Sequence, residues 1–150
     1  MSNTSDPTNT RPSRAPGYRL DRQVGHLMRR ANQRHTGIFA QMIEELTPTQ
    51  FAALAKLREL GPVSQNRLGR LTAMDAATVK GVIDRLREKR FAATERDPDD
   101  RRRLVVRLTP EGEALADVLI PLGHEITALT LAPLTKAEQA TFIDLLAKLT

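Results

Sequence analysis

The chain has 150 residues, enough for one domain with its own core. Hydrophobic residues make up 40% but aromatics only 3%, so the core must be aliphatic, which favours packed helices. There is no cysteine, which excludes disulfide staples, a thiolate metal site and a thiol nucleophile, and the formal charge of +5 is unevenly spread: residues 64–107 carry 12 basic and 7 acidic side chains, residues 108–150 only 2 and 6. A basic middle and an acidic end imply a localised polyanion-binding surface.

Residues 1–16 are rich in Ser, Thr, Asn and Pro and cannot bury apolar surface, so a disordered arm is expected there. Its Arg11 and Arg14 are either solvated or brush a phosphate backbone. The stretch lacks the apolar run of a signal peptide, and no run in the chain approaches the roughly 18 apolar residues of a membrane span, so the expectation is a cytoplasmic protein without a membrane partner. From Tyr18 to Leu46 apolar residues recur at steps of three and four, which predicts one long amphipathic helix of roughly 40 Å.

Thr47-Pro48-Thr49-Gln50 reads as a capping box with proline at the first helical position, and Gly61-Pro62 closes the helix it opens. A short helix follows, capped by Ser64 and anchored by Leu68 and Leu71. Asp75 caps the next, whose Val79, Val82, Ile83 and Leu86 form one apolar stripe. The first half of its other face is small and polar: Ala76, Ala77, Thr78, Lys80 and Gly81. Small side chains let a backbone approach another molecule closely. Residues 91–96 and 104–108 read as strands, and the charged turn between them (DPDDRRR) makes a hairpin with a basic tip. Thr109-Pro110-Glu111 starts another long helix, which Pro121 and Gly123 should kink. Thr135-Lys136-Ala137-Glu138 starts the last, carrying Phe142, Leu145, Leu146 and Leu149.

Two helices joined by a short turn, the second presenting small polar residues, and then a hairpin, make a winged helix-turn-helix. A helix with a short outer face can reach base edges in the major groove, and an arginine-tipped hairpin can enter the narrow, electronegative minor groove. The fold expected is mainly α with a small β-hairpin wing. Residues 47–108 form the DNA-binding region, and residues 17–46 and 109–150 a helical dimerisation region, all in one compact unit. Thr78 and Lys80 are the foremost groove contacts, with Ala77 and Arg85 beside them. Ser64 is a cap, and Gln65 and Arg67 either complete its first turn or touch phosphate. Arg101, Arg102 and Arg103 are either a solvated turn or the DNA-contacting tip.

The stretch TVKGVIDRLREKRFAATERDPDDRRRLVVRLTPEG resembles the DNA-binding core of the multiple antibiotic resistance regulator (MarR) family, in the Val79–Leu86 helix, the Asp-Pro-x-Asp-Arg-Arg wing at 97–102 and Leu-Thr-x-x-Gly at 108–112. The resemblance implies a homodimeric repressor of a pseudo-palindromic operator, released by a small molecule. It also implies that Asp100 holds Arg102 towards DNA. Arg90 departs from the family, which commonly has glycine there, so the turn after the recognition helix is expected to differ. The aliphatic surface of the first and last helices is either a private core or a seam between two chains.

Tyr18, Arg19, Gln23, His26 and Arg30 lie in an unusually basic opening helix, the last four in one stripe on a helical wheel. Cations beside apolar surface suit an anionic, partly apolar ligand. The stretch is similar to MarR-type regulators of aromatic catabolism, which implies an aromatic carboxylate or its coenzyme A thioester as effector. A salt-laced surface is the alternative. His35 lies nearer the apolar stripe and reads as a satisfied, half-buried histidine. No nucleophile elbow, phosphate loop or metal-binding histidine pair is present, and His26 and His35 fall on opposite sides of the helix, so no enzyme and no cofactor is expected. A DNA-packaging protein without ligand response is the other non-enzyme reading.

Overall fold

The computed structural model describes residues 17–150; the expected arm, with Arg11 and Arg14, lies outside the described residues. Six helices and three short strands follow in the order α1 (Val24–Met42), α2 (Pro48–Leu60), β1 (Val63–Ser64), α3 (Gln65–Leu71), α4 (Ala76–Glu88), β2 (Ala92–Arg96), β3 (Leu104–Leu108), α5 (Pro110–Leu131) and α6 (Lys136–Ala147). The expectation of a mainly helical fold with a hairpin wing holds. The sheet is antiparallel in the order β1-β3-β2, with Val63 opposite Val106 and Thr94 opposite Val106 on its other side. β1 was not expected. Two residues carry no readable periodicity, and only β3 as a neighbour makes them a strand.

The single helix expected over Tyr18–Leu46 is interrupted at both ends. Leu20–Arg22 is a 3₁₀ turn, and Gln23 is extended (φ −89°, ψ 135°) before α1 begins. Local polar bonds hold that turn: Arg19 pairs with Asp21 at 3.1 Å, and the Gln23 side chain donates to the Arg19 carbonyl at 3.1 Å. At the other end Ile43 is extended, because it and Leu46 must both enter the core (2% and 4% exposed) before the next cap. With 19 residues, α1 spans about 28 Å rather than 40.

The caps form as expected. Thr47 and Gln50 make both hydrogen bonds of a capping box, as do Thr135 and Glu138. Ser64, Asp75 and Thr109 each accept from the backbone three residues on. Each such cap contributes about 1 kcal/mol. The Asp75 carboxyl titrates below the usual carboxylate range because the Thr78 N–H bonds its charged form.

The core is aliphatic: Leu54, Leu57, Leu68, Val79, Ile83, Leu86, Val106 and Leu119 are all essentially inaccessible. Burying each contributes about 1.5–3 kcal/mol. Leu71, expected as an anchor of α3, is instead 42% exposed; the seven-residue helix has turned it outward. Gly123 has a packing role besides any bend of the helix. α5 runs uninterrupted from Pro110 to Leu131 through Pro121. At Gly123 a Cβ would lie 2.8 Å from Phe51 Cζ, so the glycine lets α2 close against α5. The Phe51 ring in turn meets Phe39 edge-on, with centroids 5.8 Å apart. By length and mean hydropathy (1.3) α5 could cross a membrane, contrary to the expectation that no run comes near; here it packs on α1, α2 and β3.

Candidate nucleic-acid interface

α4 is built to be read from outside. Val79, Val82, Ile83 and Leu86 are buried, which turns Ala76, Ala77, Thr78, Lys80 and Gly81 to the surface. A Cβ on Gly81 would meet nothing within 4 Å, so the fold does not require glycine there. Lys80 Nζ donates to Asp84 at 2.8 Å, and Arg85 to Glu88 at 3.2 Å. The Lys80 bond holds the Asp84 carboxyl below its ordinary range, and Arg87, 3.9 Å away, adds to this.

The wing tip is a chain of short hydrogen bonds. Asp97 Oδ1 accepts from the Asp99 N–H (2.9 Å), the Asp97 N–H donates to the Arg103 carbonyl (2.9 Å), and the Arg103 N–H donates to the Asp100 carbonyl (2.9 Å). Asp100 Oδ1 accepts from both the backbone N–H (3.1 Å) and Nε (3.4 Å) of Arg102. The Arg102 side chain is 93% exposed, so this pair orients more than it stabilises. Arg101 and Arg103 are also exposed, and Arg103 leans on Asp97 at 3.9 Å.

Ser64, Gln65 and Arg67 sit at the start of α3, with the Ser64 hydroxyl committed to the Arg67 N–H (3.2 Å). Ser64 and Gln65 line a polar cleft of about 520 Å³ between α3 and the wing, which Arg70, Arg96, Arg102 and Arg103 also enter. α3 with its cap Ser64, α4 and the wing therefore carry all eleven residues picked out for DNA contact, with cations on each of the three.

The departure at Arg90 does not bring a different conformation of its own. Arg90 adopts φ 65°, a left-handed conformation that glycine would take without steric cost. The strain is locked in by the Thr109 hydroxyl, which donates to the Arg90 carbonyl at 2.7 Å, and by the Phe91 N–H bonded to Leu86. Gly112 sits directly beneath: a Cβ there would be about 2.0 Å from the Phe91 carbonyl oxygen.

The other region of interest lies between α1 and the C-terminal helices. A mostly apolar groove of about 370 Å³ is lined by Met28, Ala31, Phe142 and Leu146, with His35 and Thr130 as its polar wall. His35 Nδ1 and Thr130 Oγ1 are 3.0 Å apart, so this histidine is satisfied and half-buried, as read. Beside it Arg34 donates to the Leu129 and Thr130 carbonyls, closing the α5 terminus. None of Tyr18, Arg19, Gln23, His26 and Arg30 lines the groove. Because the chain is extended at Gln23, the expected four-residue stripe is not one helical stripe: only His26 and Arg30 share α1. Tyr18 is 68% exposed, and Gln23 and His26 are half-buried. α6 has no buried residue, and Phe142, Ile143 and Leu145 are 40–54% exposed, so these residues are not a private core.

The MarR family profile matches residues 46–104, the stretch from the first cap to the start of β3. Over 93% of this chain and 92% of its own length, the transcriptional repressor NicR of Pseudomonas putida is 42% identical. The chain belongs to the MarR family. Two solved structures are similar throughout. A probable transcriptional regulator from Pseudomonas aeruginosa is 51% identical at TM-score 0.86, covering 88% of this chain and 100% of that one. BpsR of Bordetella bronchiseptica, described with a mechanism for regulation of its DNA binding by 6-hydroxynicotinic acid, is 44% identical at TM-score 0.85, covering 89% and 96%. The protein is thus a MarR-type transcriptional repressor with a winged-helix DNA-binding fold, and the relatives it matches are regulators, not enzymes.

In this MarR-family chain two juxtapositions had no signal in the sequence. Arg70 and Arg96 are single cations in unremarkable contexts, brought to one cleft only when α3 packs beside the sheet. His35 and Thr130 stand 95 residues apart, and only the packing of α1 on α5 joins them.

Proposed function

We propose that this protein is a cytoplasmic homodimer that represses transcription from a pseudo-palindromic operator and is released by a small aromatic carboxylate of the hydroxynicotinate type. The observation that carries this reading is the 44% identity, over 89% of the chain, to a regulator whose DNA binding responds to 6-hydroxynicotinic acid. The exposed small face of α4 enters the major groove through Thr78 and Lys80, and Arg102 enters the minor groove, steadied by Asp100. The open apolar faces of α1 and α6 meet those of a second copy, which sets two recognition helices on two half-sites. The effector carboxylate is gripped by Arg19 and His26, beside apolar surface at the seam. Arg19 must first leave Asp21, an exposed pair whose loss costs within about 1 kcal/mol.

Titration of operator complexes with 6-hydroxynicotinic acid tests this. Wild type releases DNA; Arg19→Ala and His26→Ala keep DNA binding but lose about 1.5–3 kcal/mol of ligand affinity, and so stay bound. Coupling is reciprocal, so operator DNA weakens ligand binding by the same factor. Release of both variants at the wild-type ligand concentration removes Arg19 and His26 from the site. Binding of wild type to all duplexes alike would return the packaging reading.

A further inference from the structure

On the side of the molecule that carries α3, α4 and the wing, five cations have an acidic partner among the described residues. Lys80 has Asp84 (2.8 Å), Arg85 has Glu88 (3.2 Å), Arg87 has Asp84 (3.9 Å), Arg102 has Asp100 (3.4 Å) and Arg103 has Asp97 (3.9 Å). Among the described residues Arg67, Arg70, Lys89, Arg90, Arg96, Arg101 and Arg107 have no carboxylate within 4.0 Å, and of these only Arg70 and Arg96 line the cleft of about 520 Å³ between α3 and the wing. The one acid lining that cleft, Asp100, is engaged with Arg102. Two unneutralised guanidinium groups on different elements, facing one polar recess, match a tetrahedral oxyanion: each offers a planar fork of donors, and no existing ion pair has to break.

We propose that the α3–wing cleft seats one DNA backbone phosphate per protomer, held by Arg70 and Arg96, and that this contact fixes the wing's angle to the helix-turn-helix. The proposal rests on the DNA-binding reading above. It gives the two residues a role different from that of Lys80 and Arg102. A phosphate contact carries no sequence information but releases counterions, and cations without an acidic partner release the most.

The experiment measures DNA affinity against salt concentration for wild type, Arg70→Gln, Arg96→Gln, their double variant and the charge-preserving Arg70→Lys/Arg96→Lys. The probe is a duplex that the wild-type protein selects from a randomised pool, with a scrambled duplex for comparison. Arg107→Gln removes an exposed charge from the same sheet outside the cleft and sets the background. The double glutamine variant should lower the slope of log K against log salt by about 0.9 per protomer. For a dimer, the affinity lost between about 50 and 200 mM salt then shrinks by roughly tenfold. Preference for the selected over the scrambled duplex should persist, and the lysine pair should retain most of the slope. A slope no different from that of Arg107→Gln overturns the cleft assignment while leaving the DNA-binding reading intact; failure of wild type to bind any duplex overturns both. A third arm heats the free protein with inorganic phosphate at constant ionic strength. Protection of wild type but not of the double glutamine variant, with salt slopes unchanged, assigns the cleft to a free anion and also overturns the proposal.

Discussion

Gly81→Ala separates what α4 needs for folding from what it needs for reading DNA. Position 81 is interior to a 13-residue helix, and a Cβ there meets no atom within 4 Å. No clash offsets the gain in helix propensity, so the substitution should stabilise the fold by about 0.5–1 kcal/mol. For a domain of this size that raises the thermal midpoint by a few degrees, roughly 2–4 °C per kcal/mol. On DNA the sign should reverse. Gly81 is flanked on the exposed face by Ala77, Thr78 and Lys80, the residues assigned to the groove, and a methyl group there holds the helix backbone away from the base edges. A loss of one good groove contact, about 1–3 kcal/mol, is the expected cost in operator affinity. Thermal unfolding and fluorescence anisotropy on the same preparation give both numbers. An Ala variant that is more stable and binds DNA as well as wild type would falsify the close approach of this face to DNA. One that is less stable would mean that another part of the protein covers the face.

Arg90→Gly should stabilise the protein by about 1 kcal/mol, measured by denaturant titration, because a left-handed residue loses its Cβ strain; destabilisation would show that the arginine side chain matters more than its backbone. Arg102→Ala should weaken operator binding by about 1–3 kcal/mol, and Asp100→Ala should weaken it too despite removing negative charge, since Asp100 aims the guanidinium; tighter binding by Asp100→Ala refutes the aiming role. The Arg58 guanidinium, 2.8 Å from Asp117, holds that carboxyl below its usual range and is itself held charged. A depressed folded-state value means that the stabilisation is present above the ordinary carboxylate range and is lost as pH falls through the depressed value. Asp117→Asn should therefore lower stability slightly at neutral pH, where the pair is present, and flatten the acid limb of the stability curve by the same small amount; an unaltered acid limb would show that the pair does not couple to folding.

Local chemistry was legible in the sequence, and chemistry that depends on distant neighbours was not. Thr47, Ser64, Asp75, Thr109 and Thr135 were readable as caps because a cap needs only the next three residues. The Val79–Leu86 stripe was readable because burial repeats at helical spacing. The break at Gln23 escaped the reading because the apolar spacing runs on through it, while the bonds that stop the helix come from Arg19, Asp21 and Gln23 themselves. The packing role of Gly123 was not legible because nothing nearby in sequence announces Phe51, 72 positions earlier. The cations proposed for DNA contact were legible where they clustered, as in Arg101–Arg103, or stood on the readable outer face of α4, as with Lys80 and Arg85. Arg70 and Arg96 depend on a tertiary cleft.

The attachment of α4 at its C-terminal end makes it a lever. Lys89 Nζ donates to the Glu45 carbonyl at 2.6 Å, in the link between α1 and α2, and Arg90 is held by Thr109 at the root of α5. The opposite end, Ala76 to Gly81, has no such hydrogen bond to another element among the described residues; it is seated on α3 through Val79 and is the end assigned to base edges. The helix is 13 residues, about 20 Å, long. A tilt of about 10° at the fulcrum moves the free tip by roughly 3 Å, the full length of a hydrogen bond. The mechanical advantage runs outward. A small displacement at the Lys89–Arg90 anchor is largest at the far end of α4, where the groove contacts are proposed.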